Sequence, residues 1–353
     1  MIMTSKLTGH ATNWARNFTL TALLLTLAFS PTRTTRAAVI AYEGFDYPAG
    51  DSIVGKTGGI GFTNAWQLNS STGIQTNQAT SLSYTDGAGK TLVTTGGSLF
   101  LQGTNAGNTG NTQPNRAITN MRGTNVSTFA TDGVTTWVSF LIVRQGPTTN
   151  SPTVPDNPYP RSANLSLFNG LPLMEKLAMG NTSDTVSNVV TLLPVGGNAK
   201  PTSVSFSQTN FIVVRIDHKL DALDDAYMFV NPLLSSEPSI SSADTNSIGQ
   251  FDFSFNRIRP FAGGNRTTQP YAEIVVDEIR IGETYADVAP IISLPTLSIT
   301  RDGNSVVLTW PGAFNLQSST NVAGPYVTIS GATSSFTNAI TEPAQFFRLS
   351  SAP

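Results

Sequence analysis

The chain has 353 residues, no cysteine, two histidines and a formal net charge of −2. The absence of cysteine excludes thiol catalysis, disulfides and thiolate metal sites, and with only His218 beyond the N-terminal segment a multi-histidine zinc site is excluded too. Charged residues at 12%, with abundant Gly, Ser, Thr and Asn, describe a β-protein of short strands and many turns, and the lack of any Lys/Arg cluster argues against nucleic acid as a partner.

The first predicted element is a cleaved signal peptide. Lys6 and Arg16 precede the uncharged run 18–29, about 18 Å of helix, which is short of the roughly 30 Å of a bilayer core but suits a signal h-region. Ser30-Pro31 breaks that helix, and Thr35 and Ala37 supply small residues before a cut expected after Ala37, with Ala38 as the alternative. Residues 1–37 hold four basic and no acidic side chains, which leaves 16 basic against 22 acidic and a net charge of −6 in 38–353. No later stretch reaches membrane length, so the expected location is secreted, extracellular or cell-surface, with no transmembrane segment after cleavage.

Strand patterns separated by turn signals follow, with no helical periodicity beyond two turns. The clearest strands are 99–102, 136–144, 164–168, 211–217, 226–230 and 273–282. In 136–144, Trp137, Leu141 and Val143 share one face and Val138, Phe140 and Ile142 the other, which predicts a central strand covered on both sides. Residues 211–232 read as a hairpin around Asp221-Ala222-Leu223-Asp224-Asp225, closed at Asn231-Pro232. Two polar loops interrupt the strands: 104–113, too polar to pack, and 146–160, with five prolines, long enough to be functional or mobile. Ala289-Pro290 and Leu294-Pro295 then bracket a connector, and Asp302-Gly303-Asn304 marks a hairpin between 296–300 and 305–310. The further strands 314–317, 326–329 and 345–349 complete a small β-sandwich. The expected organisation is a signal peptide 1–37, a large β-domain 38–290, a linker 291–295 and a small module 296–353.

Several of these residues carry a resemblance. The run Ala41-Tyr42-Glu43-Gly44-Phe45-Asp46-Tyr47-Pro48-Ala49-Gly50, then Gly58-Gly59-Ile60-Gly61-Phe62 and Trp66, resembles the opening of a group of exported bacterial proteins of planctomycetes and verrucomicrobia. In that group it begins a concanavalin A-like, laminin-G-like jelly roll. The similarity continues at Trp137 to Arg144, Leu165-Ser166-Leu167-Phe168 and Asn231-Pro232, and closes on Val276-Asp277-Glu278-Ile279-Arg280-Ile281-Gly282. Leu308-Thr309-Trp310-Pro311, Leu316 to Asn321, Gly324-Pro325-Tyr326 and Phe346-Phe347-Arg348-Leu349 resemble a fibronectin-III-like module. The resemblance implies an all-β chain, a concanavalin A-like jelly-roll sandwich followed by a small β-sandwich, on a fold that hosts many functions.

Candidate sites follow from residue chemistry. Glycosidases on such sheets place two carboxylates at alternate positions of one strand. Here Val275 separates Glu273 from Asp277, and Asp277 and Glu278 are expected on opposite faces, with Arg280 beside Glu278 on the same face; the resemblance implies a structural role for the Asp277-Glu278 pair, and no catalytic residue is assigned. His218 reads as a polar residue where a strand leaves the sheet. Asp217, Asp221, Asp224 and Asp225 form the densest acidic cluster, a candidate calcium site or simply turn acceptors; no other cofactor is expected. Trp66, Trp137 and Trp310 read as core, which leaves Tyr159 and Tyr271 as candidate glycan-stacking aromatics. The leading expectation is a non-enzymatic secreted or cell-surface protein with an adhesion or matrix role. The alternatives are a lectin-like carbohydrate-binding module, with polysaccharide or cell-envelope glycan as partner, and a polysaccharide-active hydrolase or lyase.

Overall fold

The computed structural model describes residues 39–68, 72–118, 133–146, 161–169, 174–182, 188–266, 269–292, 295–312 and 314–351. The expected signal peptide and most of segment 146–160, Tyr159 included, lie outside the described residues. The described chain is all-β. Its first strands are β1 (Ala41–Glu43), β2 (Phe62–Leu68), β3 (Ile74–Gln78), β4 (Ser98–Gln102), β5 (Pro114–Ile118), β6 (Thr135–Gly146) and β7 (Ala163–Asn169). β8 (Met174–Asn181), β9 (Val189–Pro194), β10 (Lys200–Ser205), β11 (Asn210–Asp217), β12 (Asp224–Val230), β13 (Thr245–Phe251), β14 (Arg257–Ala262) and β15 (Glu273–Gly282) follow. A short helix, α1 (Tyr285–Val288), precedes β16 (Ser298–Asp302), β17 (Ser305–Thr309), β18 (Phe314–Ser319), β19 (Val327–Thr328), β20 (Phe336–Ala339) and β21 (Phe346–Ser351).

Two antiparallel sheets pack face to face. One runs β13-β12-β11-β6-β15-β4-β3, with β1 also paired to β15; the other runs β10-β9-β8-β7-β14-β5-β2. Strand alternation explains the core between them. Val138, Phe140 and Ile142 of β6, Leu165 and Leu167 of β7, Leu177 and Met179 of β8 and Ile274 and Val276 of β15 belong to one buried cluster. Trp137 and Leu141, on the other face of β6, pack in a second cluster with Phe211, Val213, Phe229, Leu234, Tyr285 and Val288. The strand is covered on both sides as its sequence predicts, and Trp66, Trp137 and Trp310 are all buried.

The opening motif has a physical role. Buried Glu43 accepts hydrogen bonds from Trp66 Nε1 (3.0 Å), Tyr47 OH (2.8 Å) and the Phe45 amide (3.1 Å), and pairs with buried Arg116 at 3.0 Å. Arg116 also donates to the carbonyls of Thr57 (2.9 Å), Gly58 (2.6 Å) and Asn64 (3.0 Å). A buried ion pair needs such full satisfaction of its remaining polar atoms. Gly61 sits at φ +76° where a Cβ would lie 2.0 Å from the Ile40 carbonyl oxygen, so only glycine lets this segment lie against β1.

Two expectations are corrected. Segment 104–113 is not too polar to pack: Thr112 is fully buried and exchanges backbone hydrogen bonds with Ala262 (2.9 and 3.0 Å). The segment closes against Gly264, where a Cβ would meet the Gly107 carbonyl oxygen at 2.2 Å. In β15, Asp277 and Glu278 do not face opposite ways. The register slips between Asp277 (opposite Leu141) and Arg280 (opposite Ser139), and Glu278 takes φ +55°. This bulge swings Glu278 out of the core face to join Asp277 and Arg280. There Glu278 pairs with Arg280 and accepts from Tyr42 OH (2.9 Å) and the Thr95 amide (2.7 Å).

After β15, the Pro290 carbonyl accepts from the Val93 amide (2.8 Å) and the Ile292 amide donates to Thr91 (2.9 Å), so the first residues of the expected linker are paired. Strands β16-β17-β20 and β19-β18-β21 form two three-stranded sheets around Leu308, Trp310 and Leu316. The expected hairpin turn falls between Asp302 and Ser305.

Candidate functional site

The face of the seven-stranded sheet that points away from the core is polar where the opposite face is aliphatic. Along β7, Ala163, Leu165 and Leu167 enter the core while Asn164, Ser166 and Phe168 face outward, yet these three are buried as well. Along β14, Ile258 and Ala262 enter the core and Arg257, Arg259 and Phe261 share the outward face. Register stacks Arg259 beside Ser166, Ala178 and Leu193, and Phe261 beside Asn164, Gly180 and Thr191.

Over these rows opens a cleft of about 470 Å³, within the size range of small-ligand sites. Its floor is Asn164, Ala178, Leu193, Arg259 and Phe261. Asn111 and Gln113 of the packed 104–113 segment form one wall, and Arg161, Ser162, Thr182, Glu175 and Arg266 complete the lining.

Arg259 organises the floor. Its guanidinium lies over the rings of Phe168 (4.3 Å) and Phe261 (4.9 Å), donates to Gln113 Oε1 at 3.2 Å and pairs with Glu175 Oε1 at 3.1 Å, while Nε is buried without a partner. A planar guanidinium between rings and fixed acceptors is held in one orientation. Burial lowers its pKa from the ordinary value, and Glu175 opposes that shift. Ser166 Oγ donates to Glu175 Oε1 at 2.6 Å, fixing the carboxylate from below. The register slip between Leu167 and Phe168 on β7 places Glu175 opposite Phe168 and so turns it to this face. Arg161 is buried, its Nε donating to the Gly264 carbonyl at 2.6 Å, and Arg144 reaches from β6 to the Arg161 carbonyl at 2.8 Å. Arg144 therefore positions this wall from the neighbouring sheet.

A second groove of about 430 Å³ adjoins the first through Glu175. Met174, Lys176, Val195, Phe251 and Asp252 line it. It adds an apolar shelf to a cleft of guanidinium, amide and carboxylate groups. The cleft lining carries one carboxylate, Glu175, among the described residues, whereas acid–base hydrolysis of a glycosidic bond uses two. What the arrangement supplies is a set of rigid donors and acceptors beside aromatic and aliphatic surface.

The residues singled out in the sequence lie elsewhere. Tyr271 is half-buried before β15 and lines neither groove; Tyr159 lies outside the described residues. Asp217 accepts from Thr135 Oγ1 and Arg215 Nε, both at 2.8 Å, and Asp221 is exposed at the turn. Asp225 takes the Gly249 amide (2.8 Å), Tyr227 OH (3.1 Å) and Lys219 Nζ (2.6 Å). Asp224 accepts from the Lys219 and Phe253 amides, each at 3.0 Å, and lies 3.1 Å from His218 Nδ1. Burial raises the Asp224 carboxyl, but those hydrogen bonds outweigh it and leave the pKa below the ordinary value. Among the described residues no three acidic or histidine side chains gather as a metal-binding group. His218 Nε2 also lies 3.1 Å from Thr136 Oγ1, so a hydroxyl, an imidazole and a carboxylate stand in line. All three are buried, and the line staples the end of β11 to β6.

Sequence reasoning missed Arg259, Glu175 and Phe261. The signal for β14 was present in Arg257-Ile258-Arg259-Pro260-Phe261-Ala262, where Arg, Arg and Phe recur at every second position.

No family model and no curated protein matches the chain. Among solved structures it is similar to an endo-β-1,4-glucuronan lyase from the fungus Trichoderma reesei, at 14% identity and TM-score 0.40, covering 69% of this chain and 98% of that one. It is similar to alginate lyase Aly36B at 10% identity and TM-score 0.32, covering 61% and 98%. Domain 4 of AbnA, a GH43 extracellular arabinanase from Geobacillus stearothermophilus, in complex with arabinotriose, matches at 11% identity and TM-score 0.33, covering 72% and 97%. These likenesses concern the sandwich and no residue of the cleft. They correct one expectation: β-sandwiches of this kind include polysaccharide lyases, so the assignment of the chain as a non-enzyme is withdrawn.

Proposed function

We propose that this is an exported protein that binds polysaccharide along the outward face of its seven-stranded sheet. The observation that carries the reading is the junction at Glu175 of two grooves with complementary chemistry. One is floored by Arg259, Asn164 and Phe261, the other is an apolar shelf of Met174, Val195 and Phe251. A sugar ring presents hydroxyls at its rim and C–H groups on its faces. It therefore needs fixed polar partners and apolar surface side by side, and two adjoining grooves extend that provision along a chain.

The test is a glycan array on the protein expressed without residues 1–37, with and without calcium, followed by calorimetry on the best ligand. Phe251→Ala is expected to weaken binding several-fold, since a lost aromatic platform costs on the order of 1 kcal/mol, with fluorescence-monitored unfolding confirming that the variant is folded. An array without hits rejects the proposal. The same calorimetry on Tyr159→Ala and Tyr271→Ala decides whether those aromatics contribute. Reducing-end and unsaturated-product assays on the bound polysaccharide report whether binding leads to cleavage.

A further inference from the structure

Away from the cleft, a cavity of about 260 Å³ opens where β12 ends on the eight-stranded sheet and the chain turns back toward β13. Phe229, Pro232, Leu233 and Pro238 give it apolar walls, and Ser236 and Asp244 give it polar ones. The cavity is formed in advance of any ligand. Phe229 stacks on Trp137 with ring centroids 6.3 Å apart. The Tyr84 and Tyr285 hydroxyls donate to the carbonyls of Pro232 (2.9 Å) and Leu233 (2.6 Å), and the Leu234 amide donates to Asp86 Oδ2 at 2.8 Å. These bonds hold the turn after β12 in one conformation, which lowers the ordering cost of binding there.

Asp244 sets the chemistry. Its Oδ2 accepts the Val230 amide at 2.8 Å, and no cation is paired with it among the described residues, which leaves Oδ1 for a ligand. The neighbouring Glu237 is already paired with Arg215 at 3.1 Å. Residues 231–256 hold Glu237, Asp244 and Asp252 and no Lys, Arg or His. Charge complementarity therefore calls for a cation with an apolar body. A sugar ring needs several polar partners around its rim, and Ser242 Oγ, also in the lining, is engaged by the Ser239 carbonyl at 2.7 Å. The methylene stem of a basic side chain needs apolar walls and one acceptor for its head. The volume, below the roughly 300 Å³ at which small-ligand pockets begin, suits a single side chain. We infer that this cavity docks a partner polypeptide, which inserts a lysine or arginine with its stem against Pro232, Leu233 and Pro238 and its charge on Asp244. Leu233 and Ile240, the latter on the turn that carries Ser242, are each 47% exposed and meet the partner's flanking residues. The cavity shares no lining residue with the cleft, so this inference does not depend on the glycan reading.

The experiment is an amide NMR titration of the perdeuterated protein, expressed without residues 1–37, at low and high salt. The probes are a capped leucine-lysine-leucine peptide, its counterparts with arginine, norleucine or glutamate in the middle, and methyl glucoside. The expected result is saturable shifts at Phe229, Leu233 and Asp244, with the lysine or arginine peptide binding at least about five-fold more tightly than the norleucine peptide, which has the stem without the charge. High salt should weaken the basic peptide and leave norleucine unchanged, because an exposed ion pair is screened. Asp244→Asn keeps an acceptor for the Val230 amide and is expected to abolish the preference for the basic peptide. Leu233→Ser, at an exposed position, is expected to weaken the lysine and norleucine peptides alike. Equal binding of lysine and norleucine peptides, a preference unchanged in folded Asp244→Asn, a stronger response to methyl glucoside than to any peptide, or no shift at these residues overturns the inference.

Discussion

Replacing Arg116 by methionine is expected to make the sandwich unfold several degrees earlier, and the structure sets the size of the loss. The side chain is buried beside Glu43 and donates to Glu43 Oε2 and to the carbonyls of Thr57, Gly58 and Asn64 at 2.6 to 3.0 Å. Methionine fills much of the volume but donates nothing, so three carbonyls and a buried carboxylate lose partners together. Four hydrogen bonds at about 1 kcal/mol each agree with the roughly 3–5 kcal/mol measured when one partner of a buried ion pair is removed. At roughly 2 °C per kcal/mol for a domain of this size, Tm should fall by about 6–10 °C. Calorimetric melting of the variant is the assay, with Lys56→Met as control. Lys56 pairs with Asp51 at the surface, at 28% and 47% side-chain exposure, and its loss should cost under about 1 kcal/mol. Adding Glu43→Gln to Arg116→Met should recover part of the loss by removing the stranded charge. The reasoning is refuted if Arg116→Met and Lys56→Met melt within 2 °C of each other.

Burial pushes the Asp277 carboxyl up to about 8, against hydrogen bonds from Ser81 and the Leu82 and Glu278 amides and with the Glu278 charge adding to the rise. A folded pKa above the unfolded value of 3.8 means that the native state holds an extra proton between pH 4 and 8. That contribution to stability is full below pH 4 and is lost as pH rises to 8. Urea midpoints measured across the window should fall with pH from this group, and Asp277→Asn should flatten the slope; an unchanged slope excludes the assignment. Asp224 has the opposite sign: its depressed pKa gives stability that is present above pH 4 and lost on further acidification, and Asp224→Asn should reduce the acid sensitivity of the urea midpoint. Gly61→Ala combines a strained φ with a backbone clash and is expected to yield protein that melts well below wild type; an unchanged melt would show that the segment around Gly61 can move away from β1.

The sequence conveyed the architecture where alternation was clean and lost it where register shifts. Thr136 to Arg144 and Phe211 to Asp217 show their two faces directly, and both stand where expected. Strict alternation puts Asp277 and Glu278 on opposite faces, and the bulge that reunites them depends on a positive φ at a glutamate. Glu175 joins the cleft through a slip of the same kind. The candidate site was illegible for a further reason. Tyrosines and clustered aspartates announce themselves in a sequence, whereas Arg259, Gln113, Asn164 and Glu175 become a set only when β5, β7, β8 and β14 and their flanking segments are brought side by side.

A transverse row runs under the cleft, one side chain from each of four strands: Arg259, Ser166, Ala178 and Leu193, of which Arg259, Ala178 and Leu193 line its floor. Their chain neighbours, such as Ile258, Leu165, Leu177 and Leu192, belong to the core on the opposite face. The two faces can thus be varied separately. A combinatorial library at those row positions, with the core residues between them untouched, would sample new ligand chemistries on a constant scaffold. Natural divergence of such a sheet would follow the same path, with recognition drifting at alternate positions while the buried half of every strand keeps its pattern.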